Sequence, residues 1–95
     1  MIDIKIMFLS TLADIIGETE ISISISENKN ISQLLTVLFS KFGRIFRKTI
    51  ADSNENLNKY IIISLNGKDI RSLDNLNTFI HHGDVVSFLP AIAGG

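Results

Sequence analysis

Ile21-Ser22-Ile23-Ser24-Ile25-Ser26-Glu27-Asn28-Lys29-Asn30-Ile31-Ser32-Gln33-Leu34-Leu35-Thr36-Val37-Leu38-Phe39-Ser40-Lys41-Phe42-Gly43 changes its hydrophobic period partway along. As far as Ser26, isoleucine and serine alternate. An extended chain with that order has one apolar face and one polar face, which predicts a half-buried strand. From Ile31 the apolar residues Leu34, Leu35, Leu38, Phe39 and Phe42 recur at spacings of three and four, one stripe of a helix. Asn30 suits the N-cap with Gln33 reaching back to it, and Gly43 suits the stop. Burying each large side chain of the stripe is worth roughly 1.5–3 kcal/mol. The helix therefore needs a sheet to lie on.

The flanking sequence supplies one. Ile2, Ile4, Ile6 and Phe8 share a parity, with Asp3 and Lys5 on the other, so a first strand keeps its even residues on the core. Met7 and Leu9 make the far end of that strand apolar on both sides. This strand and Ile21–Ser26 are expected to form an antiparallel pair. Thr11 to Gly17 connects them, with Leu12, Ile15 and Ile16 in a short helical turn that Gly17 ends.

Beyond Gly43, Ile45, Phe46 and Ile50 are expected to anchor a short turn, and Asp52-Ser53-Asn54-Glu55-Asn56 reads as an exposed loop. Tyr60 to Leu65 is a β-branched run followed by Asn66-Gly67, a strong hairpin signal, with Lys68-Asp69-Ile70 opening the return arm. Asp74 to Ile80 is a connection offering Leu76, Phe79 and Ile80 to the core. His81-His82-Gly83-Asp84 is a turn, Val85 to Leu89 is the last strand, and Pro90 ends it. The order β-β-α-β-(β)-β predicts an α+β fold, a mixed sheet with one main helix across one face. Setting the first and last strands side by side and parallel would bury both in the centre. The C-terminal tail would then project from one end of the sheet.

Composition narrows the function. Ninety-five residues, 45% of them apolar, fit a single domain spanning 1–95 with one core. The chain has no cysteine, so it lacks disulfides, thiolate metal ligands and a cysteine nucleophile. A net charge of −1 supplies no global field for nucleic acid or an anionic membrane. No apolar run approaches the roughly 18 residues of a membrane helix. The opening alternates in polarity instead of resembling a signal peptide, so a cytoplasmic location is expected.

The sequence ends on Gly94-Gly95. Two residues without a Cβ make a thin tail that fits a narrow channel, and they place an α-carboxylate at its tip. The tail is expected to be flexible over 90–95. A frayed end would look the same, so the dipeptide alone does not decide its use.

The whole run Gly83-Asp84-Val85-Val86-Ser87-Phe88-Leu89-Pro90-Ala91-Ile92-Ala93-Gly94-Gly95 resembles the ending of the MoaD/ThiS family of ubiquitin-like sulfur carriers. The opening, Phe8-Leu9 followed by Ser10-Thr11-Leu12-Ala13-Asp14-Ile15-Ile16-Gly17, is similar to the MoaD branch. The resemblance spans nearly the whole chain and is weakest over residues 44–59. Leu89 stands where the family commonly has a second aromatic, and Ala91 where it often has a second proline.

The resemblance implies a β-grasp fold and a carrier role. Gly95 would be the site of adenylation and of thiocarboxylate formation, and Ile92, Ala93 and Gly94 would line the tail that enters a partner's channel. An adenylyltransferase of the MoeB/ThiF type, related to ubiquitin-activating enzymes, would use ATP and Mg, with no cofactor held by this chain itself. A large subunit of the MoaE type would receive the sulfur as molybdopterin synthase. The same activated carboxylate would serve a protein modifier joined to lysines, or a sulfur donor for tRNA thiolation or thiazole synthesis. Met7, Leu9, Leu89 and Pro90 are the expected partner-binding residues: strand parity turns Met7, Leu9, Val85 and Leu89 away from the helix, and exposed apolar residues there want a cover.

Other signals carry less. His81 and His82 are adjacent, and no further His or Cys exists to complete a metal site, so none is expected. Arg44, Arg47 and Lys48 form a modest basic cluster that reads as a solvated face.

Overall fold

The computed structural model describes residues 1–51 and 57–91. The loop expected at Asp52–Asn56 and the tail residues Ile92, Ala93, Gly94 and Gly95 lie outside the described residues. Five strands form one mixed sheet: β1 (Ile2–Phe8), β2 (Glu20–Ile25), β3 (Ile61–Leu65), β4 (Lys68–Asp69) and β5 (Val85–Pro90). Their spatial order is β2-β1-β5-β3-β4. β1 pairs antiparallel with β2, Ile4 facing Ile23, and parallel with β5, Ile6 facing Val86. The first and last strands therefore lie side by side and parallel in the middle, the arrangement that buries both.

The main helix, α2 (Ile31–Phe42), carries the expected capping box. The Asn30 carboxamide accepts from the Gln33 N–H, and Gln33 Oε1 accepts from the Asn30 N–H, both at 2.9 Å. Ile31, Leu34, Leu35 and Leu38 are buried against Ile2, Ile4, Ile6 and Phe8 of β1 and Val86 and Phe88 of β5. α1 (Thr11–Ile16) ends at Gly17, whose φ of +88° is left-handed and whose N–H bonds the Ala13 carbonyl.

Three expectations needed revision. Where a short turn was expected after Gly43, a second helix, α3 (Arg44–Ile50), begins at once. Of its three apolar anchors Phe46 and Ile50 are buried, but Ile45 is half-exposed on the opposite face. Phe46 sits inside a ring cluster, 6.2 Å from Phe8, 5.5 Å from Phe39, 5.8 Å from Phe42 and 5.7 Å from Phe88. Phe79, expected in the core, is 56% exposed, because its buried neighbours Thr78 and Ile80 take the inward positions and an extended chain turns the residue between them outward. The return arm after Asn66-Gly67 is only Lys68–Asp69; Ile70 turns into the core and starts a 3-10 turn, Ile70–Ser72.

Candidate docking face and carrier tail

The sheet has one face under the helices and one face away from them. Strand parity assigns the second face its residues, and strand register assigns their neighbours. Across it, Lys5 lies between Ser22 and Val85; Met7 lies between Glu20 and Ser87, with Ser64 and Asp69 beyond; and Leu89 lies beside Ile62. The Leu9 N–H bonds the Phe88 carbonyl at 3.0 Å, which continues the β1–β5 ladder one step and sets Leu9 beside Leu89. Tyr60 follows Ile62 on the same parity. The Ala91 N–H bonds its carbonyl at 2.7 Å.

The face therefore divides. Towards the start of β1 it is polar: Ser24 Oγ donates to the Asp3 carboxylate, and Lys5 Nζ lies 3.6 Å from Glu20 Oε2. Towards the end of β5 it is apolar. Met7, Leu9, Ile62 and Leu89 are each partly exposed, and Tyr60 is 57% exposed. The structure thus brings the expected Met7, Leu9 and Leu89 together. Val85 shares their face but lies in the polar row with Lys5. Pro90 has the other parity, opposite Ile61.

Ile62 and Tyr60 complete the apolar half and were not singled out in the sequence. Their β-branched and aromatic run marked a strand, and period-2 parity puts both on one side. Only the β3–β5 register shows that this side adjoins Leu89.

Pro90 fits its place for a backbone reason. Even-numbered residues of β5 direct their hydrogen bonds towards β1, as the Leu9 N–H to Phe88 carbonyl bond shows. The next donor in that series would be residue 90, and its acceptor would be the Leu9 carbonyl. That carbonyl instead accepts from the Leu12 N–H at 3.2 Å as the chain turns into α1. A residue without an N–H therefore removes no ladder bond there.

The turn before β5 is fixed by side chains. The Asp84 carboxylate accepts from the His81 N–H at 2.8 Å and from the Asn66 carboxamide at 3.0 Å. His82 Nδ1 accepts from the Asp3 N–H at 3.0 Å, while His81 Nδ1 lies 4.0 Å from Asp84 Oδ2. The two imidazoles thus serve separate partners. At the far edge, Arg71 Nη2 meets Asp69 Oδ2 at 2.6 Å. Hydrogen bonds from the Arg71 side chain and backbone hold the Asp69 carboxyl below its ordinary value. No helix among the described residues is long and apolar enough to cross a membrane.

Known proteins share this fold. The model of the ThiS family matches residues 6–95. A protein of Archaeoglobus fulgidus provisionally named a sulfur carrier protein is 33% identical over 79 residues, covering 83% of this chain and 85% of the relative. Small archaeal modifier protein 3 of Haloferax volcanii is 23% identical over 93 residues, covering 98% of this chain and 99% of the relative. The solution structure of small archaeal modifier protein 1 from Methanosarcina acetivorans superposes with a TM-score of 0.82 at 25% identity, covering 100% of this chain and 98% of that one. A Pyrococcus furiosus protein provisionally named subunit 1 of a molybdopterin converting factor superposes with a TM-score of 0.74 at 17% identity, covering 97% of this chain and 100% of that one. These neighbours establish the ubiquitin-like β-grasp fold.

Proposed function

The chain belongs to the ThiS family of ubiquitin-like β-grasp proteins, and from that premise we propose that it is a sulfur carrier whose working group is the carboxylate of Gly95. The observation that carries this reading is the family match, which runs through residue 95 and so includes Gly94-Gly95.

A carboxylate resists attack because its charge is delocalised and oxide is a poor leaving group. Transfer of AMP from ATP, with release of pyrophosphate, turns it into a mixed anhydride. Sulfide can then form a bond to the Gly95 carbonyl carbon as the bond to AMP breaks, leaving a thiocarboxylate. A partner related to ubiquitin-activating enzymes supplies ATP, Mg and catalytic groups. This chain supplies the substrate carboxylate and the surface that docks. Met7, Leu9 and Leu89, with Ile62 and Tyr60, form the docking half of the sheet face. Pro90 fixes φ at the base of the tail. Ile92, Ala93 and Gly94 enter the partner's channel, where a Cβ at residue 94 would crowd the walls.

The recipient in the leading reading is a pterin precursor held by a molybdopterin synthase large subunit. The likeness to a converting-factor subunit supports it at the level of fold. A second reading has its own support: the relative that spans 98% of this chain is a small archaeal modifier protein, which favours attachment of Gly95 to lysines of other proteins.

Intact-mass and tandem mass spectrometry of the protein purified from its native cell separates them. The carrier reading expects sulfur in place of one oxygen at Gly95. Gly95 found in isopeptide linkage to lysines would establish the modifier reading. A free acid under every growth condition would overturn both.

A further inference from the structure

β5 is flanked by β1 and β3, and both neighbours stop beside the base of the tail. On the β1 side the chain turns into α1 after Leu9, next to Pro90. On the β3 side the stop is a turn. The Ile61 N–H bonds the Asn58 carbonyl at 3.0 Å and closes Asn58-Lys59-Tyr60-Ile61, while Asn58 Oδ1 accepts from the Tyr60 N–H at 2.9 Å. Asparagine favours the first position of such a turn because its side chain can bond the N–H two residues on.

The turn interrupts the β3–β5 ladder within a pair. In antiparallel strands the opposed residues alternate between exchanging both backbone bonds and exchanging none. The Asn66 N–H bonds the Val85 carbonyl at 2.8 Å, and Ser64 faces Ser87 and Ile62 faces Leu89, so the bonding series continues to Tyr60 and Ala91. The Ala91 N–H does bond the Tyr60 carbonyl, but the Tyr60 N–H goes to the Asn58 side chain instead of returning a bond to Ala91. The next bonding pair in that register would be Asn58 with residue 93. The Asn58 N–H is committed to the Ile50 carbonyl at 2.7 Å, and Asn58 Nδ2 donates to the Thr49 carbonyl at 3.4 Å. Every polar group of Asn58 is thus bonded within the chain, and the turn is tied to the end of α3.

We propose that Asn58 is a positioning residue that sets the working length of the carrier tail. By diverting the Tyr60 N–H and closing the start of β3 with a turn, it ends the ladder at Ala91 and keeps Ala93 from adding a further pair. The four residues Ile92 to Gly95 are then left to carry the carboxylate, a reach of at most about 14 Å from Ala91. Were β3 to run straight through Asn58, Ala93 would pair, and Gly94 and Gly95 alone would extend beyond it by about 7 Å. A partner's reacting atom set deeper than that would be out of range. The purpose of this stop rests on the carrier reading; its geometry belongs to the isolated chain.

Amide hydrogen exchange of the ¹⁵N-labelled full chain, read by NMR, tests this with no partner present. In the parent, the Ala93 N–H should exchange at the rate of an unstructured peptide. Asn58→Val removes the side-chain acceptor and favours extended backbone, and exchange at Ala93 should slow roughly fivefold, the protection one modest hydrogen bond confers. Asn58→Ala, the milder change, should slow it roughly twofold. Asn58→Asp keeps the acceptor oxygen and should match the parent. A variant that merely loosens the fold speeds exchange, so slowing is specific to the added pair. Protection of Ala93 in the parent overturns the proposal. So does the absence of slowing in both the valine and the alanine variants, or equal slowing in Asn58→Asp. A free acid at Gly95 in the native cell would instead remove the carrier reading and leave the exchange result standing.

Discussion

Phe88 and Leu89 are consecutive residues of β5, both large and apolar, yet they meet different surroundings. Phe88 is fully buried: it stacks on Phe8 at 5.6 Å and meets the edge of Phe46 at 5.7 Å. Leu89 lies beside Ile62 and Leu9 and remains partly exposed. One strand therefore carries the core on one face and a candidate docking surface on the other. Hydrophobicity alone does not tell the two apart. The distinction lies in whether the contacts are already made within the chain.

The comparison is tested most severely by Phe88→Ala. Deleting a fully buried ring should cost about 3–5 kcal/mol of stability, measured by urea denaturation. A loss under about 1 kcal/mol would erase the contrast between the faces. Leu89→Asp sharpens it from the other side. Calorimetric titration with the proposed activating partner should show affinity falling by roughly tenfold or more, while unfolding stability changes by less than about 1 kcal/mol. Leu9→Asp should behave alike. Unchanged affinity in both variants would remove the docking role from this face.

The smallest effect concerns the far edge, where Asp69 and Arg71 meet on the surface. The Asp69 carboxyl titrates below its ordinary value of 3.8 because Arg71 hydrogen-bonds its charged form. A depressed carboxylate contributes stability above the unfolded value and loses it as pH falls through the folded one. Asp69→Asn should therefore be slightly less stable than the parent at neutral pH. The gap should close as the solution is acidified below 3.8 in a thermal-unfolding series. A gap that is constant with pH would assign the effect to something other than this ion pair.

The sequence makes β1, β2, β5 and α2 legible, because each repeats its hydrophobic period for long enough to exclude the other. The central placement of β1 beside β5 agrees with their apolar content, whereas the parallel direction of the pair is read only from the sheet itself. The segment from Arg44 to Ile50 is shorter. Seven residues hold too few turns to show a helical stripe, so the helix and the place of Phe46 among the other rings emerge only in three dimensions. Phe79 misleads for a similar reason: composition ranks it with the core, but extended geometry around Thr78 and Ile80 turns it out. In the candidate docking face, parity identifies Leu9, Leu89 and Met7. Register, which no single strand contains, adds Ile62 and Tyr60 and sets Pro90 on the opposite side.

The pairing of β1 with β5 also has a consequence in time. β1 has no neighbour on one side until β5, about 80 residues later in the chain, arrives, and long-range pairings of this kind are slow to form. A chain that stops anywhere before residue 85 has a sheet that lacks its middle strand. A complete sheet in this architecture thus requires that translation has passed β5. A partner that recognises the face shared by β1, β5 and β3 would therefore pass over chains cut short before β5.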